Sequence, residues 1–190
     1  SSLFLLPFSF NYMATLTTTT KLDAVNTILI SIGEAPVNTL GSGLQEAEIA
    51  EVILDNINRE VQSKGWTFNT DLRMTLSPNA SGFIDLPSNC VKIDTVSVLR
   101  DYTTDIVERN RRLYDRVTNS FVFTKDIDVD MVILLSFDGL PEVARRYITL
   151  RAGRKFQENI IGSPTLSKLQ ADEEGSALIA LKEAEAGVGD

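Results

Sequence analysis

The sequence predicts an α+β fold, because the period of its apolar residues changes twice along the chain. The spacing is helical up to Trp66, alternates as far as Phe137, and is helical again beyond it. Two amphipathic helices precede the alternating stretch and two follow it, and each needs a partner for its apolar face. We therefore predict a discontinuous four-helix bundle, residues 13–66 plus 138–190, with an inserted antiparallel β-rich domain, a small sandwich or barrel, at residues 67–137.

The composition of the 190-residue chain excludes several common chemistries. Its 18 Lys and Arg face 26 Asp and Glu, a formal net charge of −8, so strong binding to nucleic-acid phosphates is not expected. The absence of histidine excludes Ser-His-Asp and Cys-His nucleophilic sites. The single cysteine, Cys90, excludes an intrachain disulfide and a multi-cysteine metal site. We predict no cofactor, no metal site, no catalytic residues and no membrane-spanning helix.

Residues 1–12 form an apolar segment without a charge. They resemble the apolar part of a signal peptide, but they lack an initiating Met and a basic start. A Met stands at position 13, so we interpret the segment as preceding the native reading frame or as an apolar N-terminal arm, with secretion as the alternative. An ordered arm needs a surface to pack on, and a neighbouring chain is one candidate.

Two helices are predicted before Trp66. Thr20 and Asp23 fit a capping box at the start of the first helix, and Gly33 is placed to end it. Ser42 and Gln45 fit a second capping box. Gly65 ends the second helix, whose apolar stripe recurs every four residues at Ile49, Ile53, Ile57 and Val61.

The middle of the chain has the alternation that is typical of short antiparallel strands. The candidates are residues 72–76, 83–84, 91–98, 113–114, 121–123 and 127–137. Residues 130–137 are apolar enough for a central strand. Cys90 stands in an apolar strand context and is interpreted as a core residue. Trp66 and Phe68 stand where helix gives way to sheet, and we expect them to hold the junction of the two parts together.

Two further helices are predicted after Gly139. Pro141 is placed at the first helical position of the third helix, whose apolar stripe is Ala144, Ile148, Ala152, Phe156 and Ile160. Gly162 ends this helix. Ser163-Pro164 begins the fourth helix, which carries Leu166, Leu169, Leu178 and Leu181.

Asp126, Asp128 and Asp130 match the opening of a calcium-binding loop. The pattern then requires Gly at the sixth position and Glu at the twelfth, and neither is present. The apolar residues between the three acids favour the solvated face of a strand instead.

Arginines cluster in two places. Arg109, Arg111, Arg112 and Arg116 lie among acids, which favours a mixed-charge hairpin or loop, with an interface to a protein partner as the alternative.

The third helix carries five basic residues with no acid among them, and an acidic segment follows. The basic residues of the third helix and the acidic segment are either ordinary solvated surface or pair with each other, within the chain or between copies. The interface candidates are Arg145, Arg146, Arg151, Arg154, Lys155, Asp172, Glu173 and Glu174.

Several stretches also carry a resemblance to a known family. They are AVNTILISIGEAPVNTL from Ala24, QSKGWTFN from Gln62, YDR from Tyr114 and LPE from Leu140, together with residues along the third helix. Their order and spacing resemble the tail tubular protein A family, the head-to-tail adaptors of autographivirus-type short-tailed bacteriophages. The segment before Met13 and the middle of the β-rich stretch fall outside the resemblance.

The resemblance implies a structural virion protein of the phage tail, assembled in the host cytoplasm and without enzymatic activity. It implies a homo-oligomeric ring of twelve copies between the portal protein and a tail nozzle similar to tail tubular protein B. DNA would be ejected through the lumen of this ring without being bound specifically, and no membrane would be involved.

Two other functions stay open at this point. Paired carboxylates among the 26 acids would give a tail-associated hydrolase of polysaccharide or cell wall, since their defining separation is spatial rather than sequential. A soluble scaffold without a phage role is the third alternative. A ring at high mass favours the adaptor, loss of turnover on replacing one acid favours the hydrolase, and a monomer that ignores portal protein favours the scaffold.

Overall fold

The computed structural model describes residues 17–96 and 104–187, without the side chains of residues 164–166, so the predicted arm at residues 1–12 lies outside it. Short 3₁₀ helices cover Thr67–Asn69 and Phe137–Gly139. The predicted α+β class is confirmed. In chain order the elements are α1 (Lys21–Ile30), α2 (Gln45–Gln62), β1 (Thr70–Leu76), β2 (Cys90–Thr95), β3 (Ile106–Arg109), β4 (Arg112–Asp115), β5 (Ile127–Ile133), α3 (Glu142–Ile160) and α4 (Pro164–Ala186).

Helix α1 begins with the predicted capping box. The Thr20 hydroxyl accepts a hydrogen bond from the Asp23 backbone N–H at 3.1 Å, and the Asp23 carboxylate accepts one from the Thr20 backbone N–H at 2.9 Å. The hydrogen bonds from Thr20 also lower the pKa of the Asp23 carboxyl. Beyond the helix, Gly33 has the positive φ of +85° that an αL turn requires, so both predicted ends of α1 are confirmed.

The second predicted capping box, at Ser42, is wrong. Helix α2 begins at Gln45, and the residue before it, Leu44, forms no side-chain cap. Gly43, with φ of +79°, turns the chain between Ser42 and the helix, so the Ser42 hydroxyl reaches only the Leu44 N–H, at 3.4 Å. The buried face of α2 is also wider than the predicted stripe, because α1 and α3 both contact it. It comprises Ala47, Ala50, Leu54, Ile57, Asn58, Val61 and Gln62.

Helix α3 lies at the centre of the helical part and contacts the other three helices. Its stripe is buried as predicted as far as Phe156, but Ile160 is exposed because the chain turns away at Gly162. Pro141 precedes the first helical residue rather than occupying it. On α4, Leu181 is buried as predicted, while Leu169 is exposed. None of the helices in the described ranges is both long and apolar enough to span a bilayer.

Strands β1, β5 and β2 form an antiparallel sheet with β5 in the centre, as predicted. Strands β3 and β4 form a separate hairpin that shares a small apolar core with this sheet. The predicted strands at residues 83–84 and 121–123 are wrong, since only single bridges form there, at Asp85 and Ser120. Strand β5 ends at Ile133 rather than at Phe137, because Phe137 is buried in the helical core.

Cys90 opens β2 and is half-buried at the margin of the β core. The interpretation as a core residue is therefore only partly right. Burial, followed by the charge of Glu108, raises the pKa of the Cys90 thiol, so the thiolate is disfavoured.

Candidate subunit interface

The eight interface candidates fall into two groups when their burial is compared. Four have their charged groups committed to partners within the chain, and they are Arg145, Arg151, Arg154 and Glu174. The other four are exposed on α3 or α4, and they are Arg146, Lys155, Asp172 and Glu173.

Arg145 joins the start of α1 to the start of α3. The residue is 6% exposed, and its guanidinium donates to three backbone carbonyls. The Leu140 and Thr19 carbonyls accept at 2.8 and 2.6 Å, and the Asp138 carbonyl accepts as well. A buried guanidinium with these bonds is a structural group and is not accessible to another copy.

Glu174 draws α4 onto α3. It is 8% exposed, and its carboxylate accepts from Arg154 Nε at 2.6 Å and lies 3.9 Å from Arg151 Nη1. Arg151 also donates to Glu60 of α2 at 2.5 Å, which extends the network across three helices. The hydrogen bond with Glu174 raises the pKa of Arg154, so the guanidinium stays charged. The basic and acidic helices therefore pair within the chain at these positions.

The outward face of α4 is both acidic and apolar. Asp172 and Glu173 are exposed there, and across the described residues neither forms an ion pair. Leu169 and Ile179 on the same helix are 62% and 59% exposed. Exposed apolar side chains beside polar ones are typical of a protein interface.

Trp66 and Phe68 lie at the junction between the helical and β parts. Their rings stack with centroids 6.3 Å apart and planes 6° from parallel, and both are partly buried against the helical core. The Trp66 indole N–H donates to the Val61 carbonyl at 2.7 Å, which ties the ring to the end of α2. This is the position at which the sequence places them.

The sequence reasoning missed two buried amides at the same junction. The Gln62 side chain accepts from the Leu135 N–H at 2.8 Å and donates to the Leu135 carbonyl at 3.0 Å, as a paired strand would. The Asn69 amide donates to the carbonyls of Gln62 and Ile133 at 3.0 and 2.8 Å. The family resemblance includes both residues, at the two ends of QSKGWTFN, but neither composition nor periodicity indicates that their amides link two chain segments.

Glu185 near the end of α4 was missed as well. Its carboxylate accepts from the Thr67 N–H at 2.6 Å and from the Thr67 hydroxyl at 2.9 Å. The fourth helix therefore contacts the junction at Glu185, which lies about 24 Å along the helix axis from Leu169.

The acids of the predicted strand face behave as expected. Asp128 accepts from the Thr75 hydroxyl and Asp130 from the Arg73 N–H, while Ile127 and Val129, which alternate with the three acids, are buried. Among the residues with described positions, no group of three or more acidic or cysteine side chains is arranged to hold a metal ion.

The arginine cluster before β5 forms the predicted mixed-charge hairpin. Arg112 pairs with Asp85 at 2.7 Å, and Arg116 pairs with Asp105. The turn between β3 and β4 places Asn110 and Arg111 at φ of +54° and +59°, which is the geometry of a tight hairpin turn.

Comparisons with known proteins agree with the resemblance seen in the sequence. The sequence model of a family described as "Tail tubular protein" matches residues 22–190. Tail tubular protein A of Klebsiella phage KP34 is 28% identical over 128 residues, a match that covers 67% of this chain. The same match covers 66% of the KP34 protein, so the chain spans just under two thirds of that relative's length.

Proposed function

From its membership of the tail tubular protein family, which makes the chain a structural component of the phage tail, we propose that it is a head-to-tail adaptor. Twelve copies form a ring between the portal protein and the tail nozzle, and DNA leaves the capsid through the lumen. The family match over residues 22–190 is the observation that carries this proposal.

The exposed charges support a ring built from unlike surfaces. Arg146 and Lys155 are exposed on α3, whereas Asp172 and Glu173 are exposed on α4 beside Leu169. A closed ring of identical copies uses one surface of a subunit against a different surface of the next, and opposite charges favour that pairing. We assign the subunit contacts to these exposed groups and the internal packing of the helices to Arg145, Arg151, Arg154 and Glu174.

The division of the molecule into a helical and a β part offers separate ends for separate partners. Each part has its own apolar core, and Trp66 and Phe68 at the junction pack against the helical one. We propose that one end contacts the portal and the other contacts the nozzle, in accordance with the predicted domain boundaries at residues 66/67 and 137/138.

The net charge of −8 suits a conduit that must not retain DNA, because like charges keep the phosphates from binding its wall. Membership of a structural family also favours a protein without catalysis. A polysaccharide hydrolase remains the rival function, and its test is turnover that is lost when a single Asp or Glu is replaced.

Mass photometry of the purified chain, with and without the portal ring of the same phage, tests the proposal. We expect a portal-dependent mass gain near twelve copies that decreases as salt is raised, since exposed ion pairs are screened. A monomer without portal is compatible with assembly on the portal. No mass gain at any salt concentration contradicts the adaptor role.

Charge variants locate the subunit contacts. Asp172→Arg and Glu173→Arg are expected to reduce the mass gain, whereas Glu48→Arg on the exposed surface of α2 makes the same change in net charge and serves as the matched control. Combining Asp172→Arg with Arg146→Glu or Lys155→Glu identifies the facing cation by restoring assembly. Equal assembly by all single variants refutes this assignment of contacts while leaving the ring itself in place.

A further inference from the structure

The hairpin end of the β part contains an open groove of about 540 Å³ that the proposed ring contacts do not use. One wall comes from the turn between β3 and β4, and the other comes from the segment that bridges to β4 at Asp85. The lining combines two aromatic rings, an aliphatic side chain and both signs of charge: Phe83, Phe121, Leu86, Asp85, Arg111 and Arg112.

The backbone around the groove is internally satisfied, which leaves the side chains to bind a ligand. The Leu86 N–H donates to the Arg111 carbonyl at 2.9 Å, and the Leu113 N–H donates to the Ile84 carbonyl at 2.9 Å. The Arg111 N–H is held by the Glu108 carboxylate at 3.0 Å. The walls of the groove are thus fixed before anything binds, which lowers the entropic cost of binding.

Two guanidiniums at the groove retain unused donors. Arg112 uses its Nε to bind Asp85 at 2.7 Å, and its guanidinium lies 4.7 Å from the centre of the Phe83 ring. Through the part of the chain that the structure describes, its two terminal nitrogens and the whole Arg111 guanidinium have no hydrogen-bond partner. A fixed guanidinium with two parallel N–H groups matches a carboxylate.

The Phe121 wall of the groove is backed by Tyr114, which is only 8% exposed. The Tyr114 and Phe121 rings meet edge to face with centroids 4.8 Å apart, and the Arg109 guanidinium lies 3.8 Å from the centre of the Tyr114 ring. Arginine and aromatic side chains in a preformed concave site are the residues that dominate binding energy at protein interfaces.

We infer that this groove binds an acidic peptide segment of another virion protein, with carboxylates on Arg111 and Arg112 and an apolar side chain between Phe83 and Phe121. The inference rests on the proposed function in one respect, namely that the chain works in contact with other tail proteins. It adds the location of one such contact and the chemistry of the segment that occupies it.

Two other occupants fit the same surface less well. A phosphate backbone is bound along a continuous basic track, whereas this groove offers two guanidiniums beside the Asp85 carboxylate. The acidic and apolar surface of a second copy, at Asp172 and Glu173 of α4, lies on the far side of the junction. That surface is already assigned to the subunit contacts of the proposed ring, so it is not free to occupy the groove as well.

The test uses the full chain and an array of 15-residue peptides that tile every other virion protein of the same phage. Fluorescence anisotropy then measures the affinity of each bound peptide for the wild type, Arg111→Glu and Arg111→Gly. The glycine variant removes the guanidinium and suits the positive φ at this turn position, so it controls for folding. Lys64→Glu, exposed at the end of α2, makes the same change in charge as Arg111→Glu far from the groove.

Bound peptides are expected to combine acids with an apolar residue, to weaken at least tenfold with both Arg111 variants and to be unaffected by Lys64→Glu. The inference is overturned if no tile binds, if binding ignores Arg111, or if a single-stranded DNA oligonucleotide or a peptide tiling this chain binds more tightly through Arg111. The portal mass measurement separates the two proposals. If the chain forms a portal-dependent ring but no peptide binds through Arg111, only the groove inference is refuted. If peptides bind through Arg111 but no ring forms, only the adaptor role is refuted.

Discussion

In the helical part, 18 buried apolar residues of the described chain form one core, whereas the β part has a core of eight. The β part compensates with side chains that hydrogen-bond to its own turns. Asp115 accepts from Thr118 and from two backbone N–H groups, and Asn79 accepts from the N–H groups of Ser81 and Phe83. Packing therefore determines the fold of the helical part, whereas turn chemistry contributes much of the order of the β part.

The largest expected effect is a cavity in the helical core. Phe156→Ala removes a fully buried ring and is expected to lower the free energy of unfolding by about 3–5 kcal/mol. Urea denaturation followed by far-UV circular dichroism measures the change. Ile179→Ala, at an exposed position of α4, is the control and is expected to stay within about 0.5 kcal/mol of the wild type.

A cavity in the β core is expected to act more locally. Leu113→Ala removes about 2–4 kcal/mol of stability, because Leu113 is fully buried in that smaller core. Hydrogen exchange is expected to accelerate between residues 84 and 129 while α2 and α3 stay protected. Loss of protection in all four helices shows instead that the two cores unfold as one unit.

The junction decides how strongly the two parts are coupled. Leucine is similar in shape to glutamine, but Gln62→Leu leaves the Leu135 N–H and carbonyl without partners. We expect this to lower the free energy of unfolding by about 1–3 kcal/mol. We also expect separate thermal transitions for the helical and β parts. Gln45→Leu at the exposed start of α2 is the matched control, and a single transition in the Gln62 variant contradicts the coupling role.

The smallest effect depends on pH. Burial raises the pKa of Asp115, but hydrogen bonds from Thr118 and from the backbone outweigh burial and hold it below the usual 3.8. Because the folded pKa is the lower one, the stabilisation is complete above pH 3.8 and is lost as the pH falls through the folded value. Asp115→Asn is expected to cost about 1 kcal/mol at pH 7 and progressively less below pH 3.8.

Urea denaturation of the wild type and Asp115→Asn between pH 7 and pH 3 measures this difference. Asp126→Asn, at an exposed position before β5, controls for the loss of one charge. A stability difference between wild type and Asp115→Asn that does not change with pH contradicts the role of the Asp115 carboxylate.

The helical part was more predictable from the sequence than the β part. Helices were predictable because caps and periodicity are local, as at Thr20 and along Ala144 to Phe156. In the β part, local patterns predicted strands at residues 83–84 and 121–123, where the chain instead forms single bridges. Turn geometry and packing between distant segments decide that outcome, and neither is local in sequence.

The candidate interface was predictable only as a set of charges. Composition singled out the basic α3 and the acidic α4, but it did not separate the buried Arg145 and Glu174 from the exposed Arg146 and Glu173. That separation depends on which helix covers each face. The groove at Arg111 was seen as a mixed-charge hairpin, and its aromatic wall depends on Phe83 and Phe121, which meet it only in three dimensions.

The paired amides at the junction have a mechanical consequence. Gln62 and Asn69 link the segment that leaves α2 to the segment that returns from β5. A force between the helical part and the β part therefore acts on both segments at once. Hydrogen bonds that share a pull in parallel must break together, and they resist tension better than bonds that open one after another. Bending at the junction therefore requires several of these hydrogen bonds to break together.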